Sequence, residues 1–163
     1  MTGVHLHLLV NHAPIFGALF ALCLFAASYR WAPDVLRRAG FVVLIFAGLA
    51  ATVAFYTGEP AEDAVRGLPG IRREVIHEHE EMGEKSFIVA AAAGVLAIVL
   101  LAKSRRGSIS NMMAASGLVT SLIVTGMMVY TGLLGGQVRH TEVRPGATPA
   151  DAAVVEPPRQ PRS

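Results

Sequence analysis

The sequence predicts an all-α, four-helix transmembrane bundle, and three observations lead to this fold class. Of the 163 residues, 53% are apolar and only 16% are charged, whereas soluble domains carry about 25% charged residues. The apolar residues are concentrated in four long runs, and a helix of about 20 such residues crosses a bilayer. Three polar connections separate the runs, so neighbouring helices are expected to be antiparallel within one domain.

The four apolar runs give the expected positions of the helices. They cover residues 6–27, 39–57, 87–102 and 112–134. In the first run, Pro14 indicates either the first turn of a helix or a kink. The third run is short, and residues 83–86 or a snorkelling Lys103 would lengthen it. Four such runs argue against a soluble protein with one buried helix pair, and they make the lipid bilayer the main partner.

The charges of the connections predict the orientation. The first and third connections share an excess of basic residues, six against one acid: Arg30, Arg37, Arg38, Lys103, Arg105 and Arg106. The middle connection, 58–85, holds four basic and eight acidic residues. Because basic loops stay in the cytoplasm, we expect the middle connection and both termini outside. No basic residue precedes the first run, which is therefore not typical of a cleaved signal peptide.

The middle connection and the C-terminus complete the architecture. Residues 58–65 predict a short helix across the outer mouth of the bundle, with Pro60 and acids in its first turns. Residues 67–70 break this helix, and residues 72–86 predict another that runs into the third span. The transmembrane domain is expected over 1–143. Residues 144–163 are rich in Pro and Ala without a period, which predicts a disordered tail.

Two short motifs occur twice in the chain. His5-x-His7 is repeated 72 residues later as His77-x-His79, and Tyr-Thr-Gly at 56–58 is repeated 74 residues later at 130–132. Each half of the chain would then contain a histidine pair, a helix, a basic turn and a second helix. A duplicated hairpin and a chance match both explain this pattern, and in a duplication an axis along the membrane normal would relate the halves.

The six histidines are the candidates for chemistry, because all lie outside the two basic connections and within a few turns of a helix end. They are His5, His7, His12, His77, His79 and His140. In the predicted helix 72–86, helical spacing places His77 on one face with Glu74, Glu81 and Glu84. His79 lies about 200° away on a face with Val75, Met82 and Ser86. The carboxylates around His77 favour a metal ion, and the neighbours of His79 favour an axial haem ligand.

Our first functional hypothesis is a b-type haem at the outer mouth, with a role in electron transfer or as a small subunit of a respiratory complex. Haem iron takes one or two neutral imidazoles from facing helices. His12 and His79 are the first pair, because both approach the bundle from its outer end. His77 and His140 come next. His140 follows 135–139, which the two glycines indicate to be a flexible exit from the fourth span.

Two other functions stay open. One is a non-haem site for iron or zinc, built from His77, Glu81, Glu74, His5 and His7. The other is a structural or assembly subunit, with a homodimer or another membrane subunit as partner. We find no catalytic residue set, no second Glu-x-x-His that would complete a di-iron site, and no Cys-x-x-Cys-His for covalent haem attachment. The net charge of +2 excludes a nucleic-acid partner.

Four stretches resemble an uncharacterised family of small four-helix bacterial inner-membrane proteins. They are Asn-His-Ala-Pro-x-x-Gly at 11–17, Gly-Glu-Pro-Ala-Glu at 58–62, the His-Glu-His-Glu-Glu segment within 77–85, and Leu-Gly-Gly-Gln-Val-Arg-His-Thr-Glu within 133–142. The resemblance covers about residues 5–144 and implies the four-span topology and a bacterial source. It implies no activity.

The orientation can be tested with single cysteines in a Cys23→Ala background. Cysteines placed within 30–38 and 103–110 should be labelled only after the membrane is permeabilised, because six basic residues hold these turns in the cytoplasm. Cysteines near either terminus should react in intact cells with a reagent that does not cross the inner membrane. Labelling of the C-terminus only after permeabilisation would overturn the orientation.

Overall fold

The computed structural model describes residues 3–66, 68 and 70–148, and this part is helical with no strand. The helices are α1 (Gly3–Val10), α2 (Ala13–Ala27), α3 (Pro33–Tyr56), α4 (Gly58–Val65), α5 (Arg73–Lys103) and α6 (Asn111–Arg139), and a 3-10 turn follows at Thr141–Val143. The predicted all-α class is confirmed. The short helix predicted at 58–65 is α4, and the helix predicted at 72–86 is the first half of α5.

Four helical segments are long and apolar enough to cross a membrane. They are Val4–Ala27, Pro33–Val65, Arg73–Lys103 and Asn111–Arg139. Their outward faces carry large apolar side chains that are more than half exposed, including Phe16, Leu49, Ile88 and Val119. An apolar surface that encircles a bundle would aggregate in water, but lipid solvates it. The chain is therefore a multi-pass membrane protein.

The four long helices form a closed ring in the order α2, α3, α5, α6. Each helix packs against its two neighbours in this ring, whereas diagonally opposed helices make little contact. If the hairpin α2–α3 is exchanged with the hairpin α5–α6, the cyclic order of the four helices stays the same. This packing is what two duplicated hairpins around a central axis would produce, although a bundle of unrelated hairpins can adopt it as well.

Small residues bring α3 and α5 together. A Cβ atom added to Gly48 would lie 2.8 Å from the carbonyl oxygen of Ala90, and one added to Gly94 would lie 3.6 Å from the Cα of Gly48. The neighbouring core positions Ala47 and Ala97 are fully buried. Since lipid is as apolar as leucine, association of helices in a membrane depends on such close backbone packing. The first hairpin is joined to the second along this contact.

The ring of Phe25 fills the centre of the bundle near the connections 28–32 and 104–110. Phe25 is fully buried, and it packs edge-on against Phe41 with ring centroids 4.8 Å apart. Its ring lies 3.0 Å from the Cβ position of Gly40 and 2.4 Å from that of Gly117. Glycine at these two positions makes room for the ring between α3 and α6.

Charged side chains of α3 hold the connection 104–110, and we call this end of the bundle the arginine end. The buried Arg37 donates to the carbonyl oxygen of Ile109 and to Oδ1 of Asn111, both at 2.6 Å. Asp34 accepts the backbone N–H of Ile109 at 2.9 Å. Arg38 donates to the carbonyl oxygens of Ser104 and Gly107 at 3.0 and 2.7 Å. Side chains of α3 thus pair with four backbone groups of this connection, the carbonyl oxygens of Ser104, Gly107 and Ile109 and the N–H of Ile109.

The first apolar run contains two helices. α1 ends at Val10 and α2 begins at Ala13, so Asn11 and His12 form a turn between them. The turn keeps helical hydrogen bonds on both sides, from Asn11 N–H to the carbonyl of His7 and from Phe16 N–H to that of His12. Pro14 lies in the first turn of α2, where a missing N–H is not needed. Pro14 was predicted to lie either in the first turn of a helix or at a kink, and it lies in the first turn.

The end of the last helix differs from the prediction. α6 continues through Gly135 and Gly136 to Arg139, so the prediction of a flexible exit is wrong. Of the predicted tail 144–163, residues 149–163 lie outside the described part. Arg144 donates to the carbonyl oxygens of Gln137, Val138 and Gly70 at 2.8, 3.1 and 3.0 Å. The first residue of the predicted tail is therefore attached to the folded domain.

The α3–α5 contact predicts the effect of one methyl group. Gly48→Ala should lower the free energy of unfolding by about 1–3 kcal/mol, because its Cβ meets a backbone oxygen that cannot rotate away. Thermal unfolding of the detergent-purified protein measures this loss. Gly126→Ala is the matched control, since nothing lies within 4 Å of a Cβ atom there, and its unfolding temperature should be unchanged. Equal unfolding temperatures for the two variants would contradict the close contact.

Candidate functional site

The six histidines lie at the end of the bundle opposite the arginine end. His5 and His7 are on α1, His77 and His79 are in the first half of α5, and the remaining two, His12 and His140, flank α2 and α6. We call this region, formed by α1, α4, the start of α5 and the end of α6, the histidine end. The predicted clustering of histidines at one end of the bundle is confirmed for the described residues.

His79 is half-buried between α5 and α6. Its Nδ1 lies 3.0 Å from the carbonyl oxygen of Thr131, and its ring lies 2.9 Å from the Cβ position of Gly135. Ser86, two turns further along α5, pairs with the hydroxyl of the same threonine at 2.8 Å. The face of α5 that the sequence assigned to His79 and Ser86 thus contacts α6, and glycine at 135 leaves space for the imidazole.

His7 occupies a similar position between α1 and α3. Its Nδ1 lies 3.0 Å from the carbonyl oxygen of Ala54 and 3.3 Å from Oγ1 of Thr57. The Thr57 hydroxyl has carbonyl oxygens of its own helix within donating distance, so it can accept the proton of His7 at the same time. His7 is half-buried as well.

These contacts determine where the proton of each neutral ring sits. A carbonyl oxygen only accepts hydrogen bonds, so Nδ1 of His7 and of His79 must carry the hydrogen. In the neutral imidazole the lone pair is then on Nε2, which makes no hydrogen bond to any described residue. A metal-ligating histidine usually has this arrangement, with its other N–H donated to a carbonyl or a carboxylate. In both neutral rings Nε2 is therefore the nitrogen without a hydrogen.

The two rings come from different hairpins and bond to different helices, His7 to α3 and His79 to α6. Asn11 lies one helical turn after His7, and its Oδ1 is buried without a hydrogen-bond partner among the described residues. A buried polar atom without a partner is costly, so a group that donated a hydrogen bond to this oxygen would stabilise it.

The repeated motifs meet at these contacts. The second histidine of each His-x-His pair, His7 or His79, contacts the threonine of a Tyr-Thr-Gly motif, Thr57 or Thr131. The match is not complete, because His7 also bonds Ala54, one turn before its threonine, whereas His79 bonds the threonine carbonyl itself. The correspondence nevertheless connects the two sequence repeats to one structural role. Neither threonine was among the residues that the sequence analysis proposed.

Acidic groups lie around the site without entering it. The carboxyl groups of Glu62 on α4 and Glu80 on α5 interact with each other, and neighbouring carboxyl groups favour a proton on one of them. Arg66, at the end of α4, pairs with Glu62 through its Nε at 2.7 Å. The Glu62–Glu80 interaction connects α4 to α5, while α4 also packs against α1. The short helix thereby closes one side of the histidine end.

The other proposed ligands are not brought together. His77 and Glu74 are exposed, and Glu81 pairs with Lys85 at 2.7 Å. Within 3–66, 68 and 70–148, no three His, Cys, Asp or Glu side chains form a group that could hold a metal ion. The structure therefore does not support the set of His77, Glu81, Glu74, His5 and His7. The ring of His7 contacts the end of α3 and its following residue, at Ala54 and Thr57.

His12 and His140 are both exposed. His12 is the residue before α2, and its side chain forms no capping hydrogen bond. His140 follows α6, and its Nδ1 lies 3.0 Å from Oε1 of Glu142. The backbone N–H of Glu142 and then the His140 ring lower the pKa of the Glu142 carboxyl. The structure gives neither histidine a carbonyl partner of the kind that holds His7 and His79.

Comparison with protein-family models, with curated proteins and with solved structures finds no match to this chain. The resemblance to small four-helix inner-membrane proteins thus stays a prediction. The functional conclusion depends on the geometry of the histidine end.

The packing of His79 predicts its reactivity. Gly135→Ala should displace the imidazole from Thr131, because the new Cβ would lie 2.9 Å from the ring. We expect diethyl pyrocarbonate to modify His79 faster in this variant than in the wild type, as quantified by mass spectrometry with the exposed His77 as reference. Gly136→Ala is the control, with nothing within 4 Å of its Cβ, and should react as the wild type does. Equal rates in both variants would contradict the packed position of the ring.

Proposed function

We propose that this protein is a multi-pass protein of the bacterial inner membrane that binds a redox-active metal cofactor at its outer end through His7 and His79. The observation that carries this proposal is the shared geometry of the two histidines. Each donates Nδ1–H to a backbone carbonyl and keeps Nε2 free. A b-type haem is the first candidate, and its role would be electron transfer, alone or as a small subunit of a respiratory complex.

His7 and His79 would supply the two axial imidazoles of a haem. Haem iron takes neutral nitrogen ligands from facing helices, and His7 and His79 come from the two different hairpins. An aromatic cluster lies at the same end, with Phe55 and Phe87 stacked 4.6 Å apart and Tyr56 against both. Such side chains offer an apolar surface of the kind a porphyrin edge packs against. When bound, haem would supply one-electron chemistry.

The packing limits where a large cofactor could lie. α3 and α5 are in backbone contact at Gly48 and Gly94, which leaves no room for a macrocycle between them. A haem would therefore have to lie beyond this contact, between the ends of the helices where α1 and α4 adjoin the bundle. His12 was the first partner proposed for His79, but it is exposed and without a hydrogen bond. We prefer His7, because a carbonyl oxygen holds its Nδ1 as another holds that of His79.

The distribution of charge supports the proposed orientation. The six basic residues of the two short connections lie at the arginine end, so this end is expected in the cytoplasm. Two of them, Arg37 and Arg38, also hold the connection 104–110 by hydrogen bonds. The histidine end would then face the periplasm, where a cofactor can exchange electrons with soluble or membrane-bound partners.

Histidine variants test the proposed ligands. The detergent-purified protein, supplemented with haem, should show a Soret band or, failing that, retain a transition metal after dialysis. His7→Asn and His79→Asn should remove or shift this signal, because asparagine can still donate to the carbonyl but has no Nε2. His5→Ala and His12→Ala are the controls and should leave it unchanged.

Two results would overturn the proposal. One is a wild-type protein that takes up neither haem nor metal, which would favour a structural or assembly subunit. The other is a bound cofactor that survives both asparagine substitutions, because the ligands would then lie elsewhere.

A further inference from the structure

We infer that the arginine end carries a binding site for an anionic phospholipid. The phosphate would lie between Lys103, Arg105 and Arg106, and the acyl chains would lie along the exposed face of α5 that precedes them. This inference goes beyond the proposed function and does not depend on it, because it concerns the opposite end of the bundle. A recess lined by cations, a turn held by hydrogen bonds and an apolar helix face support it.

The recess lies at the end of α5 and is lined by Ala102, Lys103, Arg105 and Arg106. Its volume is about 440 Å³, which leaves room for a phosphate group. The three basic residues are exposed, and their side chains form no hydrogen bond or ion pair with residues 3–66, 68 or 70–148. Cations in one recess repel each other, and an anion between them replaces this repulsion with attraction.

The basic residues of α3 at this end differ, because they have partners within the protein. Arg38 pairs with Asp34 at 2.8 Å, and the buried Arg37 donates to Ile109 and Asn111. Asp34 is the only acid in the two basic connections, and its carboxylate already accepts from Arg38 and from the N–H of Ile109. No carboxylate of these connections is left for the recess, so an external anion is its complementary partner.

Hydrogen bonds fix the turn that carries the cations. Ser104 is buried, and its Oγ donates to the carbonyl oxygen of Leu100 at 2.8 Å. The Ser104 carbonyl accepts from Arg38 at 3.0 Å and from the N–H of Gly107 at 3.3 Å. Because Ser104 is anchored in the bundle, the basic residues on either side of it lie at the surface on a fixed backbone. Less ordering is then required when an anion binds.

The surface of α5 that precedes the recess is apolar. Val95, Ile98, Val99 and Ala102 follow each other at helical spacing and are exposed. Trp31 at the same end of the bundle is exposed as well, and tryptophan is enriched at the headgroup level of membranes. A phosphate in the recess would thus lie at headgroup depth, with an apolar face beside its acyl chains. A soluble phosphate would use the recess alone, so a phospholipid is the better fit.

Lipid binding by the full-length protein in detergent tests the inference. Phosphatidylglycerol, phosphatidylethanolamine or inorganic phosphate is added; native mass spectrometry counts bound lipid, and thermal unfolding measures stabilisation. We expect phosphatidylglycerol to bind and to raise the unfolding temperature, and the zwitterionic lipid and inorganic phosphate to have much smaller effects. Arg105→Gln and Arg106→Gln should each weaken phosphatidylglycerol binding about fivefold, since one Lys or Arg near an anionic membrane surface contributes about this factor.

Two other substitutions are matched controls, because each removes one exposed cation outside the recess. Arg30→Gln does so at the same end of the bundle, and Arg73→Gln does so at the start of α5. Both variants should bind phosphatidylglycerol as the wild type does. All four variants should unfold at the wild-type temperature without added lipid, since the replaced side chains form no contact whose loss would destabilise the fold.

Four results would overturn the inference. They are equal binding of the zwitterionic lipid, equal stabilisation by inorganic phosphate, undiminished binding in Arg105→Gln and Arg106→Gln, and an equal loss of binding in the two controls. None of these measurements involves the histidine end, so this inference and the proposed function can fail separately.

Discussion

The contact between α3 and α5 at Gly48 and Gly94 is the constraint on which the histidine end depends. Hairpins in lipid gain little from burying apolar side chains, so close backbone packing must hold them together. A methyl group at Gly48 would already meet the Ala90 carbonyl. Because this contact joins the two hairpins in a defined register, it fixes α3, whose Ala54 carbonyl accepts from His7, relative to α5, which carries His79.

The two ends of the bundle satisfy their polar groups in different ways. At the arginine end, Arg37 and Arg38 donate to backbone and side-chain oxygens and close the connection 104–110. At the histidine end, His7 and His79 each donate only one of two ring nitrogens. The first arrangement uses charged groups to complete a fold. The second leaves a basic nitrogen available, which a purely structural hydrogen bond does not require.

The sequence predicted the spans and the two faces of α5. It did not predict which histidines would bond to a carbonyl oxygen of a neighbouring helix. Helical spacing separated His77 from His79, and the structure agrees, since the former is exposed and the latter packs on Thr131. His12 was preferred as the partner of His79 because both approach the bundle from its outer end. That preference depended on a break between α1 and α2 whose effect on side-chain direction cannot be read from spacing. The sequence also did not predict that α6 continues through Gly135, because this glycine makes room for the His79 ring of α5.

The repeated motifs acquire a physical meaning once the contacts are known. In each hairpin, the second histidine of a His-x-His pair contacts the threonine of a Tyr-Thr-Gly motif on the partner helix. If the halves arose by duplication, an axis along the bundle would relate the two imidazoles, and a ligand on that axis would meet two equivalent nitrogens. The symmetry can be only approximate, because α1, α4 and the turn at Asn11 occur beside one hairpin alone. The different carbonyl partners of the two histidines, Ala54 and Thr131, reflect this difference between the halves.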